Sequence, residues 1–457
     1  MKNLFYCLFS IVLLTNLSFA QNITPKQTNI TIYQNNYATV QQEIEFTLNN
    51  IPSYLTFTFP SLNIVSSSIM INFNGEVLEQ NFSTTINTLD SWLKNSIGKE
   101  LTLIGPNGLS YKGKLSLLTS DELIVNTEDK KTVYVTDLEG FTLLFNNHEF
   151  IQPEKTKVTW LLKPNKTGKN NGTLLYHISG LNWQGKYYLY LDDEKKRLNL
   201  IVWAVISNQS GMDFENVNLK IIEGELNIYS IFQTFASIEA LSGNEDSRKM
   251  VMGSFEPQKE IFEYFQYSYP QKTNLKDYEI KQLKLNSAEN VPYKKTYSYD
   301  LSPYPALNTK EKPSVNISFV NNKQNNLGFL FPKGQADIYI VDNNNYNLIG
   351  QSSIKTTPIG DEININIGKV TDMAVEVKKA ETIKISQNLI ERRFLVVCYN
   401  FKNQDTKIDI NFTEQLSFEL TKSNIQPKIK DVSKLVFEVP VKANSSSELN
   451  FTIQVKQ

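Results

Sequence analysis

The stretch LLYHISGLNWQGKYYLYLDDEKKRLNLIVWAVISNQSGMDFENVNLKIIEGELN, residues Leu174 to Asn227, decides the fold class. Lys186 to Leu191 and Arg197 to Ser207 are dense in Tyr, Val, Ile and Trp, and the charged turn Asp192 to Lys196 separates them, which is a hairpin signal. A second turn, Asn208 to Gly211, leads to a third run from Val217 to Ile222. In the middle run Leu198, Leu200, Val202, Ala204 and Ile206 share one face, and Ile201, Trp203 and Val205 share the other. A sheet open to water on one side alternates apolar with polar residues, so this pattern predicts a strand covered on both sides.

Outward from that stretch, strand and turn signals repeat in both directions. Toward the N-terminus, Val40, Ile44 and Phe46 alternate with Thr39, Gln41, Glu43 and Glu45, a half-buried strand within a β module expected over 21–97. Leu89, Trp92, Leu93 and Ile97 then have helical spacing. Over 98–147, short strands joined by tight turns, the first at Gly105-Pro106-Asn107-Gly108, predict a small SH3-like barrel. That turn joins two strands and opens no helix, so it is not read as a phosphate cradle. Toward the C-terminus, 151–301 is expected to form a central β domain, in which Ile228 to Leu241 is open between helix and connector and Ser242 to Met252 is a polar loop. The Pro-rich Ser302 to Pro313 reads as a linker. Regularly spaced strands over 314–457 predict an immunoglobulin-like sandwich without the cysteine framework of antibody domains. The fold class expected is all-β, built of multidomain antiparallel β-sandwiches.

The composition, with 40% hydrophobic and 20% charged residues in 457, is that of a globular chain of about three or four domains. The first twenty residues have the form of an export signal: basic Lys2, apolar Leu4 to Leu14, and Ser18-Phe19-Ala20 before Gln21. Cleavage near Ala20 is expected to leave a periplasmic, cell-surface or secreted protein. It would remove Cys7 and leave Cys398 alone in an apolar run, so no internal disulfide is available and Cys398 is read as a buried, inert thiol. The formal net charge of −1 gives no electrostatic grip on nucleic acid or anionic lipid.

Several short motifs carry a family resemblance. Gly180-Leu181-Asn182-Trp183 precedes Tyr187, and Asn208-Gln209-Ser210-Gly211 precedes Asn216 to Leu219. Downstream come Lys281-Gln282-Leu283, then Leu348-Ile349-Gly350 with Thr357-Pro358, then Asn400-Phe401-Lys402 with Glu414. In this order they resemble the bacterial domain of unknown function 4139 family, over roughly residues 155 to 457. Some relatives are described as mucoidy inhibitor-like, and longer members carry a coiled coil. This chain has no heptads, and the unit Gly98 to Phe145 stands in that region. The resemblance implies no catalytic residues or cofactor.

The two histidines, His148 and His177, are 29 positions apart, which excludes a His-rich zinc site and argues against a His-centred triad. His177 lies in an apolar run and reads as structural. Neither a Gly-x-Ser-x-Gly elbow nor a His-Glu-x-x-His pair occurs. Asp192, Asp193 and Glu194 are neutralised by Lys195, Lys196 and Arg197 and read as a solvated turn; Asp342 to Asn345 and Asp361-Glu362 read as turns too. No catalytic, metal or cofactor site is assigned. Two aromatic clusters, Trp183, Tyr187, Tyr188 and Tyr190, and Phe262, Tyr264, Phe265, Tyr267 and Tyr269, are read first as packing at a domain interface and, as the alternative, as a candidate ligand platform. Strand alternation sends Tyr188 and Tyr190 to the face opposite Tyr187, so these residues cannot all be exposed together. The expected role is a non-enzymatic cell-envelope scaffold or binding module for a protein or glycan. The alternative is a carboxylate-dependent hydrolase of envelope polysaccharide, which needs two acids facing each other.

Overall fold

The computed structural model describes residues 23–85, 96–106, 108–118, 122–145, 155–224, 259–261, 264–342, 345–431 and 433–456. The expected export signal, His148, Phe262, the amphipathic residues Leu89 to Leu93 and the segments Ile228 to Leu241 and Ser242 to Met252 lie outside the described residues. Among those described, regular structure is β-strand with short 3₁₀ turns such as Ser66–Ser68 and Lys323–Asn325. The chain folds as two compact units: Met1–Asn182 with Ser207–Lys220 and Lys272–Glu279, and Trp183–Ile206 with Ile221–Gln271 and Ile280–Gln457. The stretch 151–301, expected as one domain, contributes to both.

In the first unit, Tyr37–Leu48 lies between Thr24–Tyr33 and Gly168–Ser179, with Met70–Phe73 beyond the latter. Asn35 and Asn36 make the first hairpin with φ of 70° and 62°, left-handed values that Asn tolerates. A three-stranded sheet has Lys155–Pro164 between Ser53–Phe59 and Gly75–Thr85. The two sheets face each other: the Phe59 and Tyr176 rings meet edge-on at 4.8 Å, and Val40, Ile44, Phe46, Val158, Trp160 and Leu162 are buried with them. The alternation read at Thr39 to Phe46 is thus one side of a sandwich core.

The unit expected as a small barrel has its strands in the order Thr142–Phe145, Glu100–Ile104, Ser110–Leu118, Leu123–Thr127, Thr132–Val135, around a core that includes Leu101, Leu103, Leu115 and Val125. Among the described residues no ladder joins Thr132–Val135 to Thr142–Phe145. The barrel expectation is corrected to an open five-stranded meander. Its two end strands have four residues each, few positions with which to close a ring.

Of the stretch Leu174 to Asn227, the second unit contains Trp183 to Ile206 and the residues from Ile221 on. Its five-stranded sheet runs Glu279–Pro292, Arg197–Asn208, Leu181–Asp192, Gly334–Asp342, Asn345–Ile354. Leu198, Leu200, Val202, Ala204 and Ile206 are buried, while Ile201, Trp203 and Val205 are half-buried, so one face is fully covered and the other partly. Leu181–Asp192 and Gly334–Asp342 pair in parallel, a departure from the antiparallel expectation that the long intervening chain permits. Gly185 stands opposite Gly334 at the start of that ladder, and a Cβ at Gly334 would sit 2.1 Å from the Gly185 carbonyl oxygen.

Lys294–Leu301 and the strands toward the C-terminus, other than Gly334–Asp342 and Asn345–Ile354, form a sandwich. One sheet runs Glu362–Lys369, Ser314–Val320, Lys294–Leu301, Thr406–Thr413, Lys434–Val441, Ile429–Lys430. The other runs Lys310–Glu311, Met373–Ser386, Leu389–Asn400, Ser445–Lys456, Phe418–Ser423. Phe394, Phe412, Phe437 and Phe451 interlock between them at centroid distances of 4.8 to 5.5 Å. The sandwich begins earlier than expected, because Lys294–Leu301 belongs to it. The Pro-rich linker is tied in as well: Lys310–Glu311 pairs with Met373–Ser386, and buried Arg392 donates to the Pro303 carbonyl at 3.0 Å and the Tyr304 hydroxyl at 2.8 Å.

Candidate functional site

Burial alternates along Leu181–Asp192 with the period of a strand. Trp183, Tyr187, Leu189 and Leu191 point inward, and Lys186, Tyr188 and Tyr190 occupy the less buried side. The predicted platform is therefore divided. Trp183 is 1% exposed; its indole N–H donates to the Ile222 carbonyl at 3.0 Å, and its ring meets Tyr267 edge-on at 6.2 Å. Tyr187 is 0% exposed, donates its hydroxyl to the Pro332 carbonyl and lies parallel to Phe331 at 5.8 Å. Both are core residues, and a ligand cannot stack on them. The second cluster shares this fate in part: Tyr267 is buried and donates to the Leu330 carbonyl at 3.2 Å, whereas Tyr264, Phe265 and Tyr269 are half-buried.

A carboxylate is enclosed beside these rings. Glu223 is buried, and its Oε1 accepts the Thr356 hydroxyl at 2.5 Å and the Lys333 N–H at 3.1 Å. Burial pushes its pKa above the usual carboxylate value, and the two hydrogen bonds only partly offset that.

The outer side gathers different residues. Tyr190 stacks on Tyr339 at 5.7 Å and meets Tyr346 edge-on at 5.4 Å; Tyr346 is 63% exposed. Tyr188 stands opposite Asp337 in the parallel register, and Tyr190 opposite Tyr339. The Lys186 ammonium sits 5.6 Å from the Tyr188 ring centre and 2.7 Å from Asp337 Oδ1, which also accepts Gln351 Nε2–H at 2.9 Å. Burial works to raise the Asp337 pKa, but the hydrogen bonds from Lys186 and Gln351 outweigh it, so the group stays ionised. The result is a half-exposed tyrosine face with a self-neutralised polar node. Such rings offer flat apolar surface, with hydroxyls at the rim for hydrogen bonding. Tyr339 and Tyr346 were missed in the sequence because they lie about 150 residues downstream: Gly334–Asp342 joins by parallel pairing and brings Asn345–Ile354 with it as its antiparallel neighbour, which leaves no local signal.

The other sequence candidates fall in plain roles. Asp192 accepts Lys195 N–H at 3.0 Å and Lys195 Nζ at 2.8 Å. Asp193 is held by Lys196 at 2.7 Å, Lys295 at 2.9 Å and the Tyr293 hydroxyl at 2.8 Å; burial opposes its ionisation, yet these partners bring its pKa down to about 2. His177 is half-buried at 5.2 Å from the Tyr37 ring, and burial lowers its pKa. Cys398 is buried, which pushes its thiol up to about 12. Asp361 and Glu362 are exposed. Among the described residues no group of three or more His, Cys, Asp or Glu is placed to hold a metal ion, and no helix is long and apolar enough to cross a membrane.

Two carboxylates are side-by-side neighbours on adjacent strands of the C-terminal sandwich. Asp409 and Glu438 are cross-strand partners; burial raises the first, while Lys407 at 2.6 Å lowers the second. Compared with known proteins, the chain matches no family model and no curated protein.

Proposed function

We propose that this chain is an exported cell-envelope or surface protein that binds a glycan on the outer tyrosine face of its five-stranded sheet and has no catalytic role. The observation that carries the reading is the convergence of Tyr188, Tyr190, Tyr339 and Tyr346 beside the Lys186–Asp337–Gln351 node. Stacking rings and adjacent hydrogen-bonding groups suit sugar rings, which present apolar faces and hydroxyl edges. The export-like first twenty residues support the location, and the resemblance to the domain of unknown function 4139 family belongs to the same proposal. The test is a thermal-shift titration of residues 21–457 with neutral and acidic envelope oligosaccharides. Ligand at about a hundred times its dissociation constant adds about 2.7 kcal/mol. A midpoint rise with one glycan that disappears in Tyr190→Ala supports the reading. A rise that survives Tyr188→Ala, Tyr190→Ala and Tyr346→Ala together sinks it, and no rise with any glycan turns the search to a protein partner.

The hydrolase reading rests on Asp409 and Glu438, neighbours whose environments shift their titration in opposite directions, as an acid and base pair requires. Lys407 on Glu438 and Lys428, 3.8 Å from Asp409, also tie the pair into a surface ion network. Turnover of an envelope glycan that Asp409→Asn abolishes would favour catalysis over binding.

A further inference from the structure

A cleft of about 130 Å³ opens within the second unit, between the inner side of the five-stranded sheet and the six-stranded sheet of the sandwich. Buried Leu191 and Ile317 form its floor, with Ile340 and Val315 beside them. Two further walls come from irregularities. In Asn345–Ile354 the register shifts so that Ile349 is an extra residue, since Ile338 pairs with Gly350 and Tyr339 with Leu348. In Glu362–Lys369 the extra residue is Ile367, since Val315 pairs with Gly368 and Asn316 with Asn366. Each bulge adds an isoleucine to the same cleft. A bulge re-aims a side chain at a cost in ladder bonds, and bulges recur beside functional sites. The bulged strands also approach closely: a Cβ at Gly350 would lie 2.5 Å from the Ile367 carbonyl oxygen.

The rim is charged. Asp193, Lys295 and the exposed Lys369 edge the opening, and Lys196 pairs with Asp193 from the turn behind it. Two lysines and one carboxylate at the opening leave its lining with one positive charge in excess.

We propose that this cleft is a binding site for a small free carboxylate with an apolar body of about six carbons, the body among the isoleucines and the carboxylate at Lys369 and Lys295. An apolar cavity of about 150 Å³ accepts a benzene-sized group, which sets the size. The excess of lysine over carboxylate at the rim sets the sign of the head group. The site is separate from the tyrosine face and does not depend on the role proposed for it.

The experiment titrates residues 21–457 with hexanoate and with hexylamine, by calorimetry and thermal shift. Hexanoate is expected to bind at least threefold more tightly than hexylamine, and Lys369→Glu to reverse that order. Ile367→Trp, which fills the cleft, is expected to abolish the hexanoate response while the circular dichroism spectrum stays unchanged. Should that variant fail to fold, Ile349→Trp at the exposed wall replaces it. Tyr190→Ala is expected to leave hexanoate binding intact, so failure of the tyrosine-face reading and failure of this one are distinguishable. No heat and no shift with hexanoate, equal response to hexylamine, or a response surviving the filled cleft would overturn the proposal.

Discussion

Trp183 and Tyr187 on one side of Leu181–Asp192, and Tyr188 and Tyr190 on the other, come from one aromatic run yet enter different environments. The inner pair is enclosed, with each polar atom satisfied by a backbone carbonyl, so its hydrogen bonds and ring contacts hold the unit together. The outer pair leans on other tyrosines and on a lysine while part of each ring stays in contact with water. Residue type alone therefore does not distinguish core from binding face; the side of the strand does. The comparison predicts a large stability loss from the inner side and a small one from the outer.

Trp183→Ala is expected to have the largest effect, a destabilisation of about 3–5 kcal/mol from the lost ring and the cavity it leaves. Denaturant unfolding measures it, and a loss under about 1 kcal/mol would erase the contrast. Gly334→Ala tests the same strand from its parallel neighbour, Gly334–Asp342. The new methyl group would meet the Gly185 carbonyl at the start of the parallel ladder, so a loss of about 1–3 kcal/mol is expected. A neutral result would mean that the ladder yields at that point, and the pairing of Tyr190 with Tyr339 would not be rigidly set by it.

What the sequence makes legible follows from locality. The alternation in Leu198 to Ile206 and in Thr39 to Phe46 reads directly as strands, because period two is written in consecutive residues. The same alternation separates Tyr187 from Tyr188. It does not say which side is the core, and both members of the predicted platform on the inner side proved to be buried. The partners of the outer pair arrive by parallel pairing with Gly334–Asp342, a choice made by packing over a long connection. The meander at residues 100–145 shows the same limit, since its strands are evident locally while closure is a property of the whole sheet. The cleft is hidden for a third reason: a bulge is an extra residue relative to a partner strand, and the partner is unknown until the fold is.

Two carboxylates of the second unit sharpen the contrast between enclosed and open positions through pH. Asp193, about a third exposed, is held below its ordinary pKa by two lysines and Tyr293, so its contribution is present above the unfolded value of 3.8 and is lost as pH falls through about 2. Allowing for solvent screening, Asp193→Asn is expected to cost about 1 kcal/mol near neutral pH. Glu223 has the opposite sign. Its raised value means that its contribution is full below 4.5 and is lost as pH rises through the folded value. The difference in stability between wild type and Glu223→Gln should therefore move against the wild type as pH rises from 4.5 toward neutrality. Unfolding curves taken at several pH values check both signs, and parallel curves for the two variants would contradict the environments described for them.

The smallest effect on stability is expected on the outer side. Tyr190→Ala removes contacts with Tyr339 and Tyr346 but opens no enclosed cavity, because the ring already borders solvent. A loss within about 1 kcal/mol is expected, well below that of Trp183→Ala. Binding separates the two sides in the reverse order. If the outer face is the ligand surface, Tyr190→Ala should weaken the glycan identified by thermal shift at least tenfold, equivalent to about 1.4 kcal/mol, while its unfolding curve barely moves. Tyr346→Ala, at the exposed end of the same group, should act in the same direction, because it takes away an adjoining ring without touching the core. If either variant instead unfolds as readily as Trp183→Ala, the outer rings are structural, and the proposed ligand face loses its basis.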